Sequence, residues 1–511
     1  MDLKVTRFGV TVGDIIYDQM AEQSVDTEFT LPDYCPDISR ILKCRVKPRI
    51  SSKSINGAQI GIDGVIYFTL IFADGENKIN SYEYSMPFTK NVDVGDPAEY
   101  ASVNVKAKQN YMNCRAVNPR KVDLHGAIGL FVKVTSKKTA QIISDIDDIE
   151  IQQKLGTANA TIPMGASEKH LIVEDEIELG QGKPSIRSLI RCDARAVIND
   201  TKIISNKAVI KGELMVSALY CPDPDGRPQL LESTIPFSQI MDVDGITENC
   251  ECDTSIEVIS FDLKPRTGIN GEVRNLMLES KLCVCATAFC NNEVPVLFDA
   301  FSTKYDADVV TEDVAFEKII SQINERYSCK KTLEFSENAI GTVVDLWCES
   351  QVGNVKKDNK NLVINGTVDI CILAYDSDDM PVYYERPVEY EYNFELEKSP
   401  TIMKCEPQVE AIAASYTLFD SSRLETRIEL NISASVFDVG KIPLVTEVTI
   451  NENSPKKKSN DIALIIYYAD SGENVWDIAR KYNTSPKHIC SINDIKGDNV
   501  TQDKMLLIPC V

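Results

Sequence analysis

Two runs of acidic residues contain the side chains in this sequence that could most directly carry out catalysis. They comprise Asp145, Asp147, Asp148 and Glu150 in the first run and Glu174, Asp175, Glu176 and Glu178 in the second. Paired carboxyl groups hydrolyse a glycosidic bond when one is buried among apolar groups and the other is in a more polar environment. Here apolar residues stand between the acids, as in Asp145-Ile146-Asp147, which is typical of a strand with one solvated face. We therefore interpret both runs as solvated strands or loops.

Cysteine and histidine residues are the candidates for metal binding. The chain has sixteen cysteines and three histidines, His125, His170 and His488. Cys250/Cys252 and Cys283/Cys285 form Cys-x-Cys pairs, but no Cys-x-x-Cys occurs and no histidine is near either pair in the sequence. Structural zinc sites usually combine four such ligands at characteristic spacings. The sequence therefore predicts no metal site.

Motifs for nucleophilic catalysis, phosphate binding and calcium binding are incomplete. There is no Gly-x-Ser-x-Gly elbow, and Gly180-Gln-Gly182 is followed by Lys-Pro rather than by the Gly-Lys-Ser/Thr of a phosphate loop. Asp376-Ser-Asp-Asp379 resembles the start of a calcium loop but lacks the glycine and the distal glutamate of an EF-hand, so we interpret it as a hairpin turn. We predict a protein that is not an enzyme and binds no cofactor.

The length and charge of the chain limit its partners. With 511 residues it is too long for one core, and a formal charge of −23 argues against nucleic acid and against electrostatic binding to an anionic membrane. No long apolar run that could span a membrane is present, and Met1-Asp2-Leu3-Lys4 lacks the apolar region expected of a signal peptide. These features favour a cytoplasmic protein without a transmembrane segment, in which the cysteines are reduced and mostly buried.

Three copies of one pattern occupy the first 450 or so residues. In order along the chain, each copy has a cysteine (Cys44, Cys192, Cys348), then a turn glycine before an apolar run (Gly64, Gly212, Gly366), then a proline (Pro87, Pro236, Pro387). The glycines are 148 and 154 residues apart. The three cysteines are predicted to occupy equivalent buried positions. Such self-similarity indicates repeated domains, which we place at 1–148, 149–308 and 309–450.

The repeats are predicted to be β-rich. Apolar residues alternate with polar ones, as in the run from Leu424 to Ala434, and turn residues recur every ten to fifteen positions. The fold class is therefore mainly β, with three sandwich or open-barrel domains. Short helices are predicted at 36–42, 184–190 and 311–324. Residues 451–461 are polar and broken by a proline, so we predict a flexible linker there.

The last segment, 462–511, has the pattern of a small β-α-α-β unit. An apolar strand leads to Gly472, and Trp476, Ile478 and Ala479 follow at helical spacing. Ser485-Pro486 begins a second helix, and Leu506-Leu-Ile-Pro509 forms a closing strand. This arrangement, with its Gly-x-x-x-Trp-x-Ile-Ala-x-Lys-Tyr-x-Thr-Ser motif, resembles a LysM domain.

Trp476 is the LysM residue with two possible roles. Its ring could pack on the strands as part of a very small core, or it could be partly exposed beside the turn and anchor a partner. Sugar-binding LysM domains usually carry Asp-Thr or Asp-Ser after the turn glycine, whereas this chain has Glu473-Asn474. The sequence leaves both roles open.

Repeated β-rich domains, a tether and one C-terminal LysM domain together resemble the SipL-like spore-coat morphogenetic proteins of clostridia-type spore formers. The resemblance extends over essentially the whole chain. It implies a protein of the mother-cell cytoplasm that assembles the spore coat at the forespore surface. It further implies that the LysM domain binds stage IV sporulation protein A, the coat ATPase. By motif position, the implied contacts are Trp476, Ile478 and Ile465, with the turn residues Gly472, Glu473 and Asn474.

Two rival functions are open at this point. The LysM domain could instead hold peptidoglycan or another N-acetylglucosamine glycan, in which case the protein would have to leave the cytosol. Alternatively, the repeats could form an enzyme that the LysM domain targets, which would require a buried acid beside a polar one in a cleft.

Overall fold

Each repeat is a sandwich of two antiparallel sheets. The computed structural model describes residues 3–95, 101–148, 150–268, 270–336, 339–456 and 463–509. The strands of repeat 1 are β1 (Val5–Thr30), β2 (Arg40–Asn56), β3 (Gln59–Ala73), β4 (Ile79–Asp93), β5 (Ser102–Asn118) and β6 (Lys121–Ile146). One sheet is the meander β2-β3-β4, and the other has the order β1-β6-β5. The predicted mainly β class, with sandwich repeats, is confirmed.

Repeats 2 and 3 use the same strand order. Repeat 2 contains β7 (Ile151–Glu178), β8 (Ser185–Ile204), β9 (Lys207–Asp223), β10 (Gln229–Asp242), β11 (Glu251–Thr267) and β12 (Val273–Ser302). Repeat 3 contains β13 (Tyr305–Glu334), β14 (Thr342–Asp358), β15 (Asn361–Tyr375), β16 (Pro381–Glu395), β17 (Met403–Cys405), β18 (Gln408–Asp420) and β19 (Arg423–Pro455). In repeat 3 the short β17 and β18 both pair with β19, where repeat 1 has β5 alone.

Alternating side chains fill the space between the two sheets. In β19, Leu424, Ile428 and Leu430 are fully buried, while Arg427 and Glu429 between them do not face the core. Each fully buried Leu or Ile contributes about 1.5–3 kcal/mol relative to an exposed one. This two-residue period explains why the sequence forms strands here.

The repeat glycines lie in the middle of strands, so their interpretation as turn residues is wrong. They pair with aromatic residues of the next strand, Gly64 with Phe88, Gly212 with Phe237 and Gly366 with Tyr390. At each glycine a β-carbon would come within 2.6 Å of that ring and within 2.5 Å of a carbonyl oxygen in the preceding strand. That preceding strand has a register shift beside each glycine. Only glycine leaves room for both the ring and the irregular strand.

Replacing Gly212 with alanine should lower the free energy of unfolding by about 1–3 kcal/mol, the usual cost of overpacking. The added carbon would collide with Phe237 and with the carbonyl oxygen of Val197. Urea unfolding followed by circular dichroism measures the loss. The matched control is Gly440→Ala in β19, because nothing lies within 4 Å of a β-carbon there. An equal loss in both variants would contradict the steric explanation.

The three repeat cysteines face the cores of their own sandwiches, but only two are equivalent. Cys44 pairs with Leu70 and Cys192 with Ala218, each six residues beyond its repeat glycine. Cys348 pairs with Ile370, four residues beyond Gly366, so Leu346 occupies the equivalent place in repeat 3. The predicted equivalence therefore holds for the first two repeats and is displaced by two residues in the third.

The three segments predicted as short helices do not form helices. Residues 311–324 belong to β13, 185–190 belong to β8, and 36–39 form a loop before β2. In β13 a register shift between Ile319 and Ser321 inserts an extra residue. The buried residues before and after this bulge therefore follow a helix-like spacing although the backbone is extended.

One pair of cysteines is oxidised. Cys250 and Cys290 form a disulfide with their Cα atoms 4.4 Å apart. The expectation of a fully reduced chain is therefore wrong for this pair. Thirteen other cysteines in the described ranges are free thiols, and Cys510 lies outside those ranges.

The three repeats pack around a shared axis. At one end Ile71, Leu219 and Leu373, each seven residues beyond its repeat glycine, belong to one buried apolar cluster. At the other end the long strand pairs extend past the sandwiches, and their buried side chains meet in a second cluster. It includes Val10, Ile142, Val296, Val314 and Leu444.

The C-terminal unit is β20 (Leu464–Ala469), α1 (Val475–Lys481), α2 (Pro486–Asn493) and β21 (Lys504–Pro509), with β20 and β21 antiparallel. This is the predicted β-α-α-β order. The predicted linker 451–461 is strand up to Pro455, because β19 still pairs there with Tyr305 of β13. Its remaining residues, apart from Lys456, lie outside the described ranges. Among the described residues, neither helix has the length or hydropathy that crossing a membrane requires.

Candidate functional site

The C-terminal unit has a small apolar core between its two helices and its two strands. The core includes Val475, Ile478, Ala479, Ile489, Leu506 and Ile508, all nearly inaccessible to solvent. Pro486 stands at the first position of α2, where a missing N–H costs nothing. Ile478, one of the predicted partner contacts, is therefore a core residue, and Ile465 is half-buried on the same side of β20.

The turn before α1 uses its polar side chains internally. Gly472 has φ of +97°, a conformation that favours glycine. The Asn474 side chain accepts a hydrogen bond from the Trp476 backbone N–H at 2.8 Å and donates to Asn499 at 3.0 Å. The Glu473 carboxylate accepts from the Tyr467 hydroxyl at 3.1 Å. These side chains therefore stabilise the turn and cap the helix.

Trp476 packs against repeat 2 of the same chain. Its ring meets Phe301, near the end of β12, edge-on with the ring centres 4.9 Å apart. Its indole N–H donates to Asp299 Oδ2 at 2.8 Å. With 8% of its surface exposed, Trp476 is a core residue and a docking residue at once.

Arg480 extends this docking contact. Its guanidinium forms an ion pair with Asp299, donates to the Ala300 carbonyl oxygen at 3.2 Å and lies 5.7 Å from the centre of the Phe301 ring. Asp299 thus accepts from both Trp476 and Arg480. We call Asp299, Phe301, Trp476 and Arg480 the docking contact. Sequence reasoning missed Asp299 and Phe301, because a register shift between Leu297 and Asp299 interrupts their strand pattern.

The face of β20 and β21 that points away from the helices is apolar and exposed. Leu464, Ile466, Tyr468 and Met505 are 43%, 59%, 77% and 47% exposed. Strand pairing places Tyr468 opposite Met505 and Ile466 opposite Leu507, so these residues share one surface. We call Leu464, Ile466, Tyr468, Met505 and Leu507 the outer face.

Comparison with protein families agrees with this geometry. The SipL SPOCS domain matches residues 37–117 and 185–265, and the LysM domain matches residues 467–509. The chain therefore carries two SPOCS segments and a LysM domain. The predicted SipL-like combination of a repeated domain with LysM is confirmed. No curated protein and no solved structure matches the chain.

These domains describe a sporulation-related LysM protein. The two SPOCS matches cover the meander sheet and the strand that follows it in repeats 1 and 2. Repeat 3 has the same strand order without a match of its own. SPOCS and LysM domains are binding and structural domains rather than catalytic ones.

A buried network of charged residues lies on the axis between the SPOCS-type sandwiches. Lys43, Arg191 and Asp345 are equivalent residues of β2, β8 and β14, because they pair with Ile71, Leu219 and Leu373. Arg191 donates to both oxygens of Asp345, at 2.5 and 3.1 Å. It also forms an ion pair with Asp193.

Asp193 is the anionic centre of this axial network. Arg45 lies 2.9 Å from its carboxylate, and Lys47 and Arg191 also pair with it. Burial alone would raise the pKa of Asp193, but attraction to these cations outweighs it and holds that pKa well below its usual value. The guanidinium carbons of Arg45 and Arg191 lie over the Trp347 ring, 5.1 and 5.0 Å from its centre.

A cavity of about 1020 Å³ adjoins the network on the axis. Its lining is polar and comes from all three repeats, including Lys47, Lys106, Asp253 and Glu349. Burial lowers the pKa of Lys47 to about 8, and the nearby Asp193 opposes this only in part. The sequence analysis did not identify the residues of this cavity or of the axial network. The available signal was the presence of lysine, arginine and aspartate residues within predicted strands.

The acidic runs that suggested catalysis lie on solvated strand faces. Asp145 and Asp147 are exposed while Ile146 between them is buried, and Glu176 and Glu178 flank the buried Ile177 in the same way. Asp376 accepts backbone hydrogen bonds from Asp378 and Met380, at 2.9 and 2.8 Å, in the hairpin turn between β15 and β16. Both interpretations from the sequence are confirmed.

Proposed function

We propose that this protein is a non-enzymatic spore-coat assembly factor that works at the forespore surface, in the mother-cell cytoplasm. Its LysM domain binds stage IV sporulation protein A. The observation that supports this most is the outer face, a contiguous set of exposed apolar side chains on the domain's sheet. Patches of this kind mark protein interaction sites more often than sugar sites, which rely on well-placed polar groups.

The turn supports the same preference. A glycan would need accessible polar groups that are free to hydrogen-bond its hydroxyl groups. Here the Asn474 amide and one Glu473 carboxylate oxygen are hydrogen-bonded within the domain, and the other Glu473 oxygen is buried. Gly472, Glu473 and Asn474 therefore fit a role at the border of a protein contact. Ile465 and Ile478 contribute indirectly, by supporting the strand and helix that present the surface.

Peptidoglycan binding is the second candidate, because glycan binding is the activity that a LysM domain suggests. It predicts that the full chain is retained on insoluble peptidoglycan and that outer-face substitutions leave retention unchanged. The same protein can therefore be tested against both partners in one pull-down.

Replacing Ile466 with glutamate should abolish capture of the coat ATPase by the full chain. A charge at the centre of an apolar contact removes an anchor that is typically worth about 2 kcal/mol or more, roughly a thirtyfold loss in affinity. Because Ile466 is exposed, the domain should remain folded. Capture from purified components, followed by affinity measurement, tests this.

The matched control is Ile492→Glu. Ile492 is also an exposed isoleucine of the LysM domain, but it lies on α2 rather than on the outer face. The Ile492→Glu substitution should leave capture of the coat ATPase unchanged. Normal capture by the Ile466 variant would exclude the outer face, and a wild-type chain that binds peptidoglycan but not the ATPase would reject the proposed function.

A further inference from the structure

Four potential metal ligands stand side by side on repeat 2. In the pairing of β7 with β12, Cys283 lies opposite His170 and Cys285 lies opposite Glu168. Leu282, Val284 and Ala286 point into the core of the repeat. The two cysteines alternate with them and therefore share the other face of the sheet with the histidine and the glutamate.

The distances between the donor atoms suit a tetrahedral metal. The two sulfur atoms are 3.9 Å apart, and the Cys285 sulfur is 3.8 Å from Glu168 Oε2. Two thiolates bound to Zn²⁺ at about 2.3 Å, with a tetrahedral angle, are separated by about 3.8 Å. His170 Nε2 lies 4.0 Å from Glu168 Oε1, and His170 is paired opposite Cys283, so it is the candidate for the fourth ligand.

We propose that Cys283, Cys285, Glu168 and His170 form a binding site for Zn²⁺. Thiolate and imidazole ligands select borderline-soft ions such as zinc over magnesium or calcium, which prefer oxygen. Glu168 is 117 residues from Cys285 in the chain. Ligand spacing along the sequence therefore does not reveal the cluster, which explains why the sequence predicted no metal site.

Access and charge are consistent with this site. Cys283 is nearly buried, whereas Glu168 and His170 are about half exposed, so an ion can enter from the side of β7. Two thiolates and a carboxylate carry one negative charge more than Zn²⁺ neutralises. Water screens this single excess charge, because the Glu168 and His170 side chains are about half exposed. The ion would join β7 to β12 across the sheet.

The test is a titration of the reduced full-length chain with Zn²⁺, followed by calorimetry, with Co²⁺ as a spectroscopic substitute. We expect tight binding of one ion and, with Co²⁺, the absorption of a thiolate-bound tetrahedral centre. The variant Cys283→Ser/Cys285→Ser should lose this binding. Glu168→Gln should weaken it by at least the roughly 10–100-fold that even outer-shell changes cost.

The matched control is Cys44→Ser/Cys114→Ser. Those two partly buried cysteines both pack against the core of repeat 1, so they test whether any pair of free cysteines is sufficient. The control should bind Zn²⁺ normally. The proposal is overturned if the wild-type chain binds no ion. It is also overturned if the Glu168→Gln variant binds Zn²⁺ as tightly as wild type, because Glu168 is half exposed and its replacement should leave the fold intact. It is equally overturned if the control loses the ion.

Discussion

Replacing Arg191 with methionine should lower the free energy of unfolding by about 3–5 kcal/mol, the usual cost of removing one partner of a buried ion pair. Arg191 is 3% exposed and Asp345 is 2% exposed. Arg191 donates to both oxygens of Asp345, and no other side chain in the described ranges hydrogen-bonds to that carboxylate. The substitution would leave a charged group buried without a partner. Chemical denaturation of the full chain measures the loss.

Two further variants identify the cause of the Arg191 effect. Arg191→Met/Asp345→Leu removes both charges and should recover most of the lost stability, because a hydrophobic replacement of a buried pair is often neutral. Arg266→Met breaks an exposed pair with Glu176, 3.1 Å apart, and should cost no more than about 1 kcal/mol. If the double variant is as unstable as Arg191→Met, lost packing rather than the uncompensated charge is responsible.

The axial network also explains how three similar repeats find their own places. At one equivalent position the repeats carry a lysine, an arginine and an aspartate, namely Lys43, Arg191 and Asp345. At the next inward position they carry Arg45, Asp193 and Trp347. Apolar residues at these places would allow any repeat to pack against any other. We infer that complementary charges fix the order of the repeats around the axis.

The sequence predicted the features of the fold that depend on local pattern. Period-two alternation identified strands, and the spacing of Gly64, Gly212 and Gly366 identified the repeats. The role of the glycines was misjudged, because whether a glycine lies at a turn or under Phe88 depends on the neighbouring strand. The bulge at Ile319 likewise led to the wrong prediction of a helix. It changes the spacing of the buried residues, although the backbone remains a β-strand.

In the candidate site, too, the local features were predictable from the sequence and the long-range contacts were not. The β-α-α-β order of the LysM domain follows from caps and apolar spacing within fewer than fifty residues. The docking contact does not, because Trp476 and Asp299 are 177 residues apart and no periodicity links them. Of the two roles considered for Trp476, the structure shows the core role, since its ring is nearly buried and packs against repeat 2 of the same chain. Its role as an anchor for a partner stays a prediction.

Replacing Trp476 with glutamate should abolish capture of the coat ATPase while the three repeats stay folded. In the present arrangement Phe301 and Asp299 cover the indole. A partner that uses Trp476 as an anchor must therefore displace repeat 2, and losing such an anchor costs about 2 kcal/mol or more of binding. The conservative Trp476→Phe retains an aromatic ring in the core and should keep most of the capture. Binding assays with purified full-length variants measure both.

Loosening the docking contact from the other side separates an anchor from a purely structural tryptophan. Phe301→Ala removes the ring that covers Trp476 but leaves the LysM domain itself unchanged. If Trp476 contacts the partner, this variant should bind the ATPase more tightly than wild type, because less of the protein is held in the covered state. Limited proteolysis of each variant checks that the LysM domain remains folded. A folded Trp476→Glu variant with normal capture, or a Phe301→Ala variant with weaker capture, would show that Trp476 serves docking alone.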